Sequence, residues 1–199
     1  MDAMHSYPLK FTQSPFAPTI IQAALVSLEL ELENPLTAVL HFIGDALGYI
    51  ARRAPSAFAT TVPTEIQTGL RELISAIGSE LSYFLLKGMI YSFPTHCVCN
   101  GARTLAILIG IEPVTSMTWV EAALRSLPQE TLAPDKFENF VNHLKEYESC
   151  RWNLLMNRSA IGVCREIQFQ IQDFVAFYRR RMMITEQMEK HVFNFNVGG

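Results

Sequence analysis

The chain reads as all-α, and three observations carry that reading. Every segment with a lasting hydrophobic period has the helical one, near 3.6 residues. The connections are short and marked by proline or by clusters of turn residues. No stretch keeps the apolar–polar alternation of a half-buried strand. The longest period runs from Pro63 to Phe93, where Ile66, Leu70, Leu73, Ile74, Ile77, Leu81, Phe84 and Leu85 draw one stripe by steps of three and four. Pro63 suits a first helical turn, where its missing N–H would be unpaired anyway. Pro94 closes the far end, because a proline disfavours helical geometry in the residue before it. A helix with one greasy face needs neighbours that bury theirs against it.

Composition bounds what such neighbours can build. The chain has 199 residues, 49% apolar and 18% charged, which excludes wholesale disorder and suffices for one core or a short stack of repeats. A net charge of −3 argues against a nucleic-acid binder that relies on a basic face. No unbroken apolar run exceeds five residues, and Leu105 to Ile109 is followed by Gly110 and Glu112, so membrane insertion is not expected. The opening MDAMHSYPLK lacks the basic-then-apolar pattern of a leader, and the expected location is cytosol or nucleus. Four cysteines, Cys97, Cys99, Cys150 and Cys164, are too few and too unevenly spaced for a disulfide framework. His96, Cys97 and Cys99 fail as a zinc set, since a C-x-C on a helix points its side chains about 200° apart. Burial is the simpler role for those thiols.

Residues 1–14 read as an irregular lead-in and 15–182 as helical repeats, with a poorly ordered tail over 183–199. The first helix starts near Pro15 or Pro18 and runs to about Glu33, burying Ile21, Ala24, Leu25, Leu28 and Leu32. Asn34-Pro35 breaks it and starts a second, which buries Leu36, Val39, Leu40, Ile43, Leu47 and Ile50 and fades after Arg52 and Arg53. A loop from Pro55 to Val62 precedes the long helix. Beyond Pro94, Thr95 is placed to cap a helix reaching Ile111, with Val98, Ala102, Leu105 and Ile109 inward. Pro113 starts the next, striped by Met117, Val120, Leu124 and Leu127, and Pro128 ends it. Pro134-Asp135 opens a helix carrying Phe137, Phe140, Val141 and Leu144. Trp152, Leu154 and Leu155 suggest that Glu148 to Asn157 packs down. A last stripe runs through Ile161, Cys164, Gln168, Ile171, Phe174 and Tyr178 and decays beyond Met183.

Alternate helices start at Pro18, Pro63 and Pro113, and Arg158 continues the step. Helix pairs recurring about every 40–47 residues are the length signature of HEAT and armadillo repeats. The expected architecture is therefore an α-α superhelix: about three HEAT-like hairpins and a closing helix, stacked as a short solenoid. A mixed helical bundle is the competing arrangement.

The phrases WVEAALRSLPQET (Trp119 to Thr131) and CREIQFQIQDFVAFYRR (Cys164 to Arg180), with Phe137 and Phe140 between, resemble the C-terminal end of nuclear import receptors. The branch is that of transportin-SR and importin-13, with the fungal mRNA-transport regulators, in the karyopherin-β (importin-β) superfamily. PTIIQAALVSLELELENPLTAVLHFIGDAL (Pro18 to Leu47) is similar to a helix pair further upstream in those receptors, so the likeness covers 15–181. It implies the C-terminal part of a receptor that carries Arg/Ser-rich or Arg/Gly-rich proteins, such as splicing factors, between cytoplasm and nucleus. Ran-GTP would be bound through N-terminal repeats that have no counterpart here. Nucleoporin phenylalanines would enter pockets between helices, and neither a cofactor nor direct nucleic-acid binding is implied. The arginine-rich helix that reads phosphorylated Arg/Ser segments has no equivalent in this chain, and the residues after Arg181 run past the family's usual end.

Two sets of residues are candidate partner contacts. Arg179, Arg180 and Arg181 end the last stripe and would suit an acidic or phosphorylated partner, although cations there also complement a helix C-terminus. Glu29, Glu31 and Glu33 would meet a basic signal, or simply form a solvated face. Trp119 sits beside its helix's stripe and reads as packing. Catalysis is not expected: there is no Gly-rich phosphate loop, no G-x-S-x-G and no H-E-x-x-H. His41 and Asp45 fall at i and i+4 but lack a nucleophile in register, so a surface hydrogen bond is the better reading. A scaffold module of another large assembly predicts the same fold with different partners.

Overall fold

Prolines set most of the helix starts. A computed structural model describes residues 7–30, 32–50, 63–127, 134–150 and 160–195, with the backbone alone at 134, 146–150, 160–164 and 183–195. All the regular structure among the described residues is helical. Pro8 opens a short turn, α1 (Pro8–Thr12), inside the segment expected to be irregular. It is too brief to show a period, yet it buries Phe11 edge-on to Phe42, ring centroids 6.1 Å apart.

Helix α2 (Ala17–Val26) has Pro18 in its first turn and tightens into a 3-10 turn at Ser27–Glu29. Leu30 then turns extended, so the helix ends short of Glu33. Leu32, expected inside, loses the helical register and is exposed. Helix α3 (Glu33–Ile50) takes Asn34-Pro35 into its first turn, where proline is tolerated. Arg52, Arg53 and the loop that follows lie outside the described residues.

Pro63 serves as the extended cap of α4 (Thr64–Lys87) rather than as a helical residue. Its predicted stripe is buried at Ile66, Leu70, Ile74, Ile77, Leu81 and Leu85 and partly buried at Leu73 and Phe84. The helix does not run unchanged to Phe93. It widens into a π turn at Gly88–Ser92, closed by the Phe93 N–H donating to the Gly88 carbonyl at 2.6 Å. The Phe93 ring folds back over Gly88, with Cε1 2.0 Å from where a Cβ would stand, so only glycine fits beneath it. From Thr64 to Ser92 this helix is long and apolar enough, by length and composition, to cross a membrane. No single run of the sequence signals this. Its stripe is covered by the surrounding helices.

Helix α5 (Thr95–Ile111) starts after an extended Pro94, and the Thr95 hydroxyl does not cap it. It is buried nearly all round between Gly101 and Ile109. Pro113 opens α6 (Pro113–Ser126) as expected, and Ser116 Oγ donates back to the Leu108 carbonyl across the joint. Pro134 opens α7 (Pro134–Cys150). The last helix, α8 (Ala160–Phe195), continues well past Met183, so the tail expected to lack order is helical in backbone to Phe195.

Contacts arrange these helices in two rows. In one, α2 packs on α4, α4 on α6, and α6 on α7; in the other, α3 packs on α5, and α5 on α8. Successive helices from α2 to α6 cross between rows, and α1 lies on α4. From α2 to α6 each helix thus touches chiefly its neighbour in sequence and the one after that, whereas α8 reaches back past two helices to α5. Inside the α4–α6 contact, Trp119 lies over Gly78, with Cζ3 2.1 Å from a would-be Cβ; the glycine makes the room that an indole needs. Arg71 pairs with Glu112 at 2.6 Å, and Lys145 with Glu121 at 2.5 Å, tying α4 and α7 to α6 and its start.

Candidate functional site

The three arginines that end the predicted stripe do not act together. One helical residue rotates by about 100°, so three consecutive residues span about 200° and cannot all share a face. Arg179 turns inward, and its Nη1 donates to the Met89 and Phe93 carbonyls at 3.0 and 2.8 Å. The π turn and the break at Pro94 leave these carbonyls without helical partners, and the two N–H groups of one guanidinium nitrogen from α8 satisfy both. Arg179 thus complements a helix end, but that of α4 rather than its own. Arg180 and Arg181 point away, exposed, along a groove between α7 and α8.

The groove holds about 890 Å³ and is made of two helical stripes. Helix α7 contributes Lys136, Asn139, Phe140 and His143, at spacings i, i+3, i+4 and i+7. Helix α8 contributes Gln170, Asp173, Phe174, Phe177, Arg180 and Arg181 on the same periodicity. At its floor Phe140 and Phe174 stack, centroids 4.1 Å apart and planes within 18°. Phe177 stands beside them edge-on to Tyr178 and is 38% exposed. The Lys136 ammonium sits 5.5 Å from the Phe177 ring centre. Helical periodicity assigns Phe140 and Phe174 to the core and does not single out Lys136, Asn139, His143 or Phe177. The signal was a second stripe beside each buried one, legible only when two helices are known to be neighbours.

The acidic candidates are engaged within the chain. Glu29 Oε1 accepts from Lys87 Nζ at 2.9 Å, joining the 3-10 turn to the end of α4. That bond is the first cause of the raised pKa of Lys87, with burial opposing and the charges of Glu29 and Tyr83 assisting. Glu33 pairs with His96 Nε2 at 2.9 Å, bridging the first turns of α3 and α5. Glu31 and Trp152 lie outside the described residues.

The other sequence candidates have structural surroundings. Cys97 is buried with its sulfur 3.4 Å from Thr37 Oγ1, and exposed Cys99 receives Gln168 Nε2 at 3.2 Å. His41 and Asp45 line a polar cleft of about 60 Å³ between α3 and α5, with Asn100, Arg103 and Thr104. Burial pushes the Tyr49 phenol above its ordinary pKa, and the Asp45 charge adds to the shift.

A second surface stands out on α2. Its buried face is Ala17, Ile21, Ala24 and Leu25, yet Phe16 and Val26 away from it and Ile20 at its edge are exposed, Phe16 to 68%. Apolar residues thus stand both on the covered side of this helix and away from it.

Comparison with known proteins adds one distant relative and no family. No protein-family model matches the chain. It is 27% identical over 187 residues to an uncharacterized protein of Schizosaccharomyces pombe. The match takes in 92% of this chain but 18% of the relative, so the chain spans less than a fifth of that protein's length.

Proposed function

We propose that the chain is the C-terminal part of a nuclear import receptor of the karyopherin-β type. In this reading it holds HEAT-like hairpins within an α-α superhelix and binds protein cargo without catalysing a reaction. The observation that carries the reading is the order of the first six helices, in which α2, α3 and α4 each pack on the next helix but one. That arrangement makes extended surfaces rather than a closed pocket. Two further facts support it: the uncovered apolar face of α2, as an inner repeat would have, and a relative more than five times as long. The resemblance of Pro18 to Leu47, Trp119 to Thr131 and Cys164 to Arg180 to such receptors points the same way.

The cargo class is proteins with Arg/Ser-rich or Arg/Gly-rich segments, carried between cytoplasm and nucleus under Ran-GTP control by repeats upstream of this chain. Glu29 and Glu33 would meet basic cargo only by giving up Lys87 and His96, a weak exchange at an exposed site. The test uses the longer polypeptide with and without residues 15–182. An Arg/Ser-rich cargo should bind the intact form, be released by Ran-GTP, and bind less well after the deletion. Cargo binding that ignores both the deletion and Ran-GTP, or capture of one fixed assembly instead, refutes the reading and leaves a scaffold module.

A further inference from the structure

We infer that the groove between α7 and α8 binds an acidic peptide segment that inserts one aromatic or large aliphatic side chain against Phe177. This inference stands on the groove alone and not on the receptor reading. Its volume, about 890 Å³, lies in the range of sites that enclose small ligands or a few peptide residues. The Phe140–Phe174 stack is buried and belongs to the core, whereas Phe177 presents an open ring at the same level. An exposed phenylalanine in a groove, beside a cation already over its face, offers apolar and electrostatic contact at one spot.

Charge chooses the occupant. Among the described residues, Lys136 and Arg180 border the groove with Asp173 as the carboxylate beside them, while the whole chain carries −3. The groove is therefore a local positive region on an acidic protein, which steers acidic segments in and turns basic ones away. The cations cluster where α7 begins and α8 passes, so the acidic residues of the ligand would lie at that end. Asn139 and Gln170, towards the other end, can donate to and accept from its backbone. Carboxylates and phosphoserines offer the same anionic chemistry, and the experiment separates them.

The measurement is fluorescence anisotropy of labelled peptides with the whole chain. One peptide carries a phenylalanine flanked by glutamates, a second has phosphoserines in their place, a third has lysines, and a fourth has alanine for the phenylalanine. The first or second should bind, more weakly as salt rises, and the tighter of the two identifies the anion. Arg180→Glu and Lys136→Glu should each weaken binding by about tenfold or more. Phe177→Ala should reduce it to the level of the alanine peptide with little change in thermal melting, because the ring is partly open to solvent. Equal binding of the lysine peptide, indifference to both charge reversals, or equal binding of the alanine peptide overturns the inference. So does failure of both acidic peptides to bind a chain that melts normally.

Discussion

Replacing Arg179 by alanine should loosen the joint between α8 and the end of α4. The guanidinium donates at 3.0 Å to Met89 O and at 2.8 Å to Phe93 O, in a partly buried setting. Hydrogen bonds from charged donors contribute about 1.5–3 kcal/mol each when buried. Partial exposure lowers that, and about 1 kcal/mol per bond is the reasonable value here. The loss for Arg179→Ala is then about 2 kcal/mol. For a chain of this size each kcal/mol moves the melting midpoint by about 2–4 °C, so a drop of about 4–8 °C should appear in a circular-dichroism melt. Arg179→Lys keeps the charge, but its ammonium stops one bond short of the Nη1 position, and it should fall about halfway. Arg180→Ala, one residue on and facing the groove, should stay within about 0.5 kcal/mol of the parent. Amide exchange at 89–93 should quicken in Arg179→Ala. If Arg179→Ala and Arg180→Ala melt alike, or the exchange is unchanged, the cap is not what closes the π turn.

Gly78→Ala should destabilise by about 1–2 kcal/mol: the gain in helix propensity is outweighed by pushing the Trp119 ring off its seat. In a Trp152→Phe background, a red-shifted Trp119 emission would report that movement, and an unshifted, equally stable variant would contradict it. Tyr49 titrates higher in the fold than its usual value near 10. Its neutral form is favoured by folding, so its contribution is complete below about pH 10 and is lost as pH rises through the raised value. Tyr49→Phe should flatten the alkaline limb of a stability–pH curve, and an unchanged slope would assign that limb to other groups. Lys87→Ala should cost under about 1 kcal/mol, because its pair with Glu29 is solvent-exposed, and a larger loss in urea unfolding would show the pair to be better shielded than its geometry implies. Ile20→Glu together with Val26→Glu should leave the melt nearly unchanged and suppress self-association at high concentration; a large drop in stability would mean that this α2 face is already covered.

Local reading succeeded wherever one covalent constraint settles the matter. Proline at positions 113 and 134 fixes a helix start, because its missing N–H and preset φ act within a single turn. The α4 stripe is equally local, since its spacing is a property of the helix itself. Reading failed where a distant side chain intervened. The π turn at Gly88–Ser92 depends on the Phe93 ring occupying space above a glycine and on an arginine ninety positions further along. Leu32 looked like a core residue until the chain turned extended at Leu30. The candidate arginines were legible as a cluster but not as two opposed roles, which depend on what lies on either side of α8.

By itself, then, the order of residues determined the secondary-structure class, most helix starts and the inward stripes, all of them consequences of bond geometry and of apolar spacing along one helix. Only the tertiary structure decided which helices stand side by side, and with that which second stripe is covered and which becomes a groove. Neighbour choice depends on the summed fit of many side chains far apart in the chain, and no window of sequence contains that sum.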